Sequence, residues 1–178
     1  MKSLREIMIS AMVLMLIAGL VTAALAGTNA LTKDTIRERT EQIENAARLE
    51  VINATDFEKH ELAVDGETVV YYTALQNGEN VGYVFTATVV GKSSGLVVMT
   101  GISADGKITG VKITDDNETA GYVDKVVKAG FLDKFKGHAA QELTDVDAVS
   151  QATKTSNGVR KAVGQAIAWY QQVKGGDR

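Results

Sequence analysis

The sequence predicts an α+β protein: a single N-terminal transmembrane helix followed by a domain in which an antiparallel sheet is packed by helices. Three observations predict it. An uncharged apolar run lies near the start of the chain, and four segments rich in β-branched and aromatic residues fill the middle. Helical periodicity brackets those segments on both sides.

The apolar run, "IMISAMVLMLIAGLVTAALAG" from Ile7 to Gly27, carries no charged residue. It matches the roughly 20 residues that an α-helix needs to cross hydrocarbon. Ala24-Leu25-Ala26 resembles a signal-peptide cleavage site, but the run exceeds the roughly 7–15 apolar residues of a signal core. It therefore reads as a membrane anchor. Lys2 and Arg5 precede it, whereas Lys33, Arg37 and Arg39 follow it. The basic leader places the N-terminus on the cytoplasmic side and the following domain outside, because long domains are translocated despite flanking charge.

Next, "TIRERTEQIENAARLEVI" reads as a helix connecting anchor and domain. Thr35 and Glu38 fit a capping box, and Ile36, Ile43, Ala47 and Val51 recur at near-helical spacing. The expected organisation is anchor over 1–27, connecting helix over 28–55 and domain over 56–178. Strands are expected at "TVVYYTAL", "VGYVFTATVV", "GLVVMTGIS" and "KITGVKIT". Asn77-Gly78 joins the first pair and Asp105-Gly106 the last, as tight hairpin turns. A helical stretch is expected near Val123 to Phe135. The closing "NGVRKAVGQAIAWYQQV" places Val159, Val163, Ala166, Ile167, Tyr170 and Val173 on one helical stripe.

Composition removes whole classes of chemistry. The chain has no cysteine, which excludes disulfides, thiol redox chemistry, thioether-bound haem and cysteine-ligated iron–sulfur clusters. His60 and His138 are isolated and form no histidine-rich metal motif. A formal charge of −3 and a pI near 5.4 give no electrostatic reason for a nucleic-acid partner. Redox work in such a chain requires a borrowed organic cofactor.

Gly91-Lys92-Ser93 ends like a phosphate-binding loop, but that pattern needs a glycine five residues earlier, where Thr86 stands. "DDNET", Asp115 to Thr119, lacks the ligand spacing of a calcium loop. Glu118 to Gly121 lies between a strand and a helix, where side chains can face a shared cleft; a solvated turn with Glu118 or Thr119 near a helix start is the simpler account of the residues alone. "DAVSQATKTSN", Asp147 to Asn157, precedes the closing helix. Ser156 or Asn157 can cap that helix. The same segment can also favour an anion, since helix N-termini present outward N–H groups and Lys154, Arg160 and Lys161 are near in sequence.

Asp147-Ala148-Val149-Ser150-Gln151-Ala152-Thr153 resembles the flavinylation motif Asp-x-x-Ser/Thr-Gly-Ala-Thr. "GLVVMTGISADGKITGVKITDDNETAG" is similar to the strand, turn, strand and Glu-Thr-Pro-Gly loop of the same family. With the N-terminal span, this layout resembles the covalent-FMN proteins represented by the Rnf complex G subunit and by the C subunit of the sodium-translocating NADH:quinone reductase. The chain length is closer to the former.

The resemblance implies FMN held through a phosphoester on Thr153, with Ser150 and Ala152 forming the small approach to it. Thr155 is the neighbouring hydroxyl that could serve instead. Asp147 would be read by a flavin-attaching transferase, while Glu118, Thr119 and Tyr122 would border the flavin. Gln151 replaces the motif glycine, so that either the backbone there needs no positive φ or attachment is affected. Ala120 replaces proline in the second loop.

The implied activity is that of a redox subunit that does not turn over alone. It works in a membrane complex coupling ferredoxin–NAD electron transfer to sodium or proton movement, with neighbouring membrane and redox subunits and the bilayer as partners. A role like that of the quinone-reductase C subunit, a non-redox membrane-tethered binding or assembly module, and a stand-alone extracellular electron carrier are the alternatives.

Overall fold

The computed structural model describes residues 4–64, 66–93, 95–139 and 146–176. Two compact units divide the chain, Met1–Ile43 and Glu44–Arg178. The element order is α1 (Leu4–Val51), β1 (Asp56–Val64), β2 (Glu67–Gln76), β3 (Glu79–Val89), β4 (Leu96–Ser103), β5 (Ile108–Asp115), α2 (Tyr122–Lys128), a 3-10 turn (Leu132–Phe135) and α3 (Thr153–Gly176).

In the first unit, α1 is long and apolar enough to cross a bilayer, with an 18-residue window of mean hydropathy 2.5. Its large apolar side chains, including Met12, Leu14, Met15 and Leu16, are exposed. Hydrocarbon around this helix would remove the cost of hydrating them. Thr28 and Thr32 donate their hydroxyls to the carbonyls of Ala24 and Thr28 at 2.9 and 2.8 Å, so neither needs water as a partner. The capping pair predicts a helix start at Thr35, but α1 is continuous through it. The side chains of Thr35 and Ile36 lie outside the described residues. Ile43 is exposed, and burial begins at Ala47.

In the second unit, the five strands form an antiparallel meander in the order β1-β2-β3-β4-β5. Asn77 at φ 53° and Gly78 at φ 84° close the β2–β3 hairpin, the positive pair that a type I′ turn requires. Both predicted hairpins are present. The expected four strands are joined by a fifth, β1, which pairs only with β2. Its alternating half-buried and exposed residues, with Glu58, Lys59 and Glu61 facing water, are those of an edge strand. Its charge content hides it from a search for apolar β-branched runs.

Alternation on the central strands loads both faces. Tyr83, Phe85, Ala87 and Val89 of β3 join the α3-side core, whereas Val84 joins Ala47, Val51, Ile52 and Met99 on the opposite face. On the α3 side, Val159, Val163, Ala166, Ile167 and Val173 are buried as the stripe predicts, and Tyr170 packs against them. Phe131 and Phe135 meet edge-to-face at 5.2 Å and are fully buried with Phe85. Each such ring contributes roughly 1.5–3 kcal/mol by leaving water.

The other face is closed by the last turn of α1. The cross-strand pair Gly101–Gly110 lies beneath Val51. A Cβ on Gly101 would collide with the Val51 carbonyl oxygen, and one on Gly110 would stand 2.8 Å from both the Cα and the oxygen of Val51. Thr109 Oγ1 donates to that carbonyl at 2.5 Å, satisfying an acceptor that the end of the helix would otherwise orphan. Lys112 pairs with Glu50 at 2.6 Å. Arg48, only 4% exposed, stacks over Tyr72 at 3.6 Å and pairs with Glu44 at 2.7 Å.

The stretch expected as one helix from Val123 to Phe135 is two pieces. Gly130 takes φ 64° and ends α2 in a Schellman motif. The Gly130 N–H donates to Val127 O at 3.0 Å and the Phe131 N–H to Val126 O at 3.2 Å.

Gly110→Ala is expected to lower stability by about 2 kcal/mol, because the added methyl meets helix backbone that cannot yield. Urea unfolding measures it, and a loss of stability below about 0.4 kcal/mol would contradict the close approach.

Candidate functional site

One end of the sheet gathers three segments. The β3–β4 loop leaves β3 beside the start of β4, and β5 ends opposite the same strand, with Val89 facing Leu96 and Asp115 facing Val97. The third segment is the start of α3. Gly158 allows α3 to approach closely, since a Cβ there would lie 3.0 Å from Gly91 Cα and 3.3 Å from Val90 O.

Glu118 joins the three. Its carboxylate accepts the Lys92 and Ser93 backbone N–H groups at 3.0 Å each and the Thr155 hydroxyl at 2.9 Å. Ser93 and Thr119 hydroxyls lie 3.4 Å apart beside it. A Cβ on Gly91 would fall 2.6 Å from Glu118 Oε1, so the carboxylate occupies space that only glycine leaves open. Gly91-Lys92-Ser93 thus presents an amide cradle for an anion, and the anion it holds is part of the chain. No pattern in the sequence links Glu118 to residues some 26 positions earlier.

The threonine turn is set by Gln151, which adopts φ 63°. The position does require positive φ, and glutamine supplies it at a steric cost of about 1–2 kcal/mol. Ala152 N–H donates to Val149 O at 3.0 Å, and Ala152 O accepts the first helical bond, from Ser156 N–H at 2.9 Å. Helix α3 therefore begins at Thr153, earlier than the predicted start, and neither Ser156 nor Asn157 is its cap. Buried Ser156 instead staples the turn: it accepts Val149 N–H at 3.1 Å and donates to Ala152 O at 3.0 Å.

The two candidate hydroxyls have different surroundings. Thr153 is exposed at the first helical position, whereas Thr155 is 0% exposed and already bonded to Glu118. Ser150 and Asp147 are exposed, and Ala152 is buried. The first turn of α3 contains no acidic residue, and its leading N–H groups lack intrahelical acceptors by geometry.

Tyr122, at the start of α2, lies under Lys92 Nζ at 3.7 Å and near Lys125 Nζ at 5.3 Å. Hydrogen bonding to Lys92, then the charges of Lys92 and Lys125, hold its phenol below the ordinary tyrosine range. Lys125 also reaches Gln151 Oε1 at 3.3 Å, which connects the aromatic to the threonine turn. The predicted residues Glu118, Thr119, Tyr122 and Thr155 thus belong to one contact network, while Ala152 is buried within the threonine turn and Thr153 and Ser150 are exposed on it. Sequence alone carries no signal for Lys125, and it raises Lys92 and Ser93 only as the end of a phosphate loop that fails on spacing.

An exposed hydroxyl, a helix N-terminus free of acid and a cationic aromatic rim suit a phosphate ester carrying a planar ring. A separate cavity of about 310 Å³ lies between Glu50, Val111, Lys112, Leu132 and Lys136 and includes none of these residues. Among the described residues, no cluster of three or more His, Asp or Glu side chains suits a metal ion.

Residues 91–168 match the FMN-binding domain family, and residues 1–51 match the RnfG N-terminal region. The chain is 34% identical, over 91% of its length and 90% of the relative's, to the G subunit of the Na(+)-translocating ferredoxin:NAD(+) oxidoreductase complex of Acetobacterium woodii. It is 27% identical to the proton-translocating counterpart of Clostridium ljungdahlii, over 90% of this chain and 88% of that one. It is 28% identical to the G subunit of the ion-translocating oxidoreductase complex of Aliivibrio fischeri, over 90% and 89% of the two chains.

Gln151→Gly is expected to raise stability by about 0.5–1 kcal/mol, since relief at positive φ exceeds the entropy glycine adds to the unfolded chain. Gln151→Val should lower it by more than about 1 kcal/mol. Thermal unfolding of the two variants checks the order, and a glycine variant less stable than wild type would contradict it.

Proposed function

Since the chain belongs to the family of Rnf complex G subunits, with their FMN-binding domain, we propose that it carries FMN as a phosphoester on Thr153 and passes electrons within an ion-translocating ferredoxin:NAD oxidoreductase complex. The carrying observation is the contrast between the two hydroxyls: Thr153 is open at the first position of α3, while Thr155 is buried and engaged by Glu118. Attachment requires an oxygen that an activated phosphate can reach.

FMN supplies transfer of one or two electrons when bound. The chain's own residues perform the remaining tasks. Thr153 retains the group covalently, and the first turn of α3, with Lys154, offsets phosphate charge. Tyr122, Lys92 and Lys125 flank the group, and Glu118 ties the β3–β4 loop that carries Lys92 to the first turn of α3. Asp147, exposed before the turn, is available to a flavin-attaching transferase. The relatives are named for sodium in one case and protons in another; the ferredoxin:NAD complex is what their names share. The match of residues 1–51 to the RnfG N-terminal region favours this reading over a role like that of the quinone-reductase C subunit.

We also propose that the domain lies on the extracytoplasmic side of the membrane, with the basic leader inside. A covalent tether suits that compartment, where a dissociated flavin would be lost. Neighbouring membrane and redox subunits would dock on the domain.

Co-production with a flavin-attaching transferase should add one FMN to the intact mass. Trypsin cuts after Lys154 and separates the two threonines, so label is expected on the Gly137–Lys154 peptide and not on Thr155–Arg160. Thr153→Ala should abolish the addition and Thr155→Ala should retain it; the reverse would move the anchor. Because the chain has no cysteine, Lys174→Cys provides a single probe of sidedness. A membrane-impermeant maleimide should label it in intact cells, and labelling only after lysis would invert the orientation.

A further inference from the structure

Thr153 and Thr155 offer the same functional group two residues apart on one helical turn. Intrinsic reactivity does not distinguish them, so selection rests on the transferase's reading of the motif and on what surrounds each hydroxyl. We propose that Glu118 is a specificity-determining positioning residue that reserves Thr153 for the flavin phosphate by withdrawing Thr155. This rests on the attachment site proposed above.

One carboxylate holds the Thr155 hydroxyl at 2.9 Å and the Lys92 and Ser93 N–H groups at 3.0 Å each. These donors come from α3 and from the β3–β4 loop, so the carboxylate ties the first turn of the helix to that loop. Gly158 brings the helix backbone against Gly91 and Val90 in the same place. Thr155 is consequently sealed at 0% exposure, while Thr153, half a helical turn away, faces water.

Attachment is a substitution at phosphorus. The threonine oxygen forms a bond to the flavin-side phosphorus of an FMN phosphoanhydride. The anhydride P–O bond breaks, the departing phosphate keeps the electron pair, and the hydroxyl proton passes to a base of the transferase. Nothing is oxidised or reduced. A carboxylate touching a hydroxyl would ordinarily assist such an attack. At Thr155 it cannot, because burial leaves the phosphorus no approach. Glu118 therefore protects the hydroxyl it contacts and holds in place the turn that presents the other.

The test uses the full chain co-produced with the transferase, followed by tryptic mapping of Gly137–Lys154 against Thr155–Arg160. Wild type should carry all its FMN on the first peptide. In Glu118→Gln the side-chain volume is kept, but an NH2 donor replaces one acceptor oxygen facing the amide cradle. At least about a tenth of the label should then move to Thr155, and Thr153→Ala combined with Glu118→Gln should accept FMN where Thr153→Ala alone does not. Gly91→Ala provides an independent route, since its methyl would displace the carboxylate while leaving Glu118 present; the same redistribution is expected. Label confined to Thr153 at a rate within about twofold of wild type, in either variant when folded, overturns the role of Glu118. A wild-type chain that takes no FMN instead overturns the attachment site and this inference with it.

Discussion

The contact between the Val51 backbone and the Gly101–Gly110 pair is the constraint from which the arrangement of the second unit follows. Two strands omit side chains at one cross-strand position, and the end of α1 occupies the space. One face of the sheet is thereby closed by the chain's own N-terminal helix, with Thr109 satisfying its terminal carbonyl. The other face is covered by α3, whose apolar stripe is buried against it. Once α3 lies there, its first turn reaches the end of the sheet where the β3–β4 and β5–α2 loops emerge. The position of Thr153 is in this sense a consequence of packing on both faces.

At that end, hydrogen bonding replaces apolar contact as the organising force. A carboxylate accepting two backbone N–H groups and a hydroxyl is well satisfied, and each charge-assisted bond is stronger than its neutral equivalent. The amides of residues 92 and 93 would otherwise compete for any anion nearby. With Glu118 in their cradle, the open positive features are the first turn of α3 and the lysines beside Tyr122. Charge is thus directed towards the exposed threonine side of the network.

Much of the fold was legible because it is written in local signals. Asn77-Gly78 and Asp105-Gly106 marked both hairpins, with positive φ at Asn77, Gly78 and Gly106, and the stripe from Val159 to Val173 marked the buried side of α3. Strand β1 was not legible, since an edge strand needs few apolar residues. Gly130 concealed a helix end inside an otherwise periodic stretch. The start of α3 was misplaced because Ser156 and Asn157 have the side chains of caps, whereas the actual turn relies on Gln151 at positive φ and on Ser156 bonding backwards. Within the site, the threonine turn and the Glu118 loop could be found from their resemblance to a motif. Their connection through the amides of Lys92 and Ser93 could not, because it depends on a long-range register that single-sequence periodicity does not encode.

Gln151 changes how the motif around Thr153 should be understood. Where most of the motif is spelled out by identity, this position is defined by a backbone angle, and glycine is merely its least strained solution. A literal pattern search that insists on glycine passes over chains of this kind, while a search on torsion retains them. Among distant homologues, asparagine and aspartate are the next substitutions to look for there, because their short polar side chains also tolerate the left-handed region.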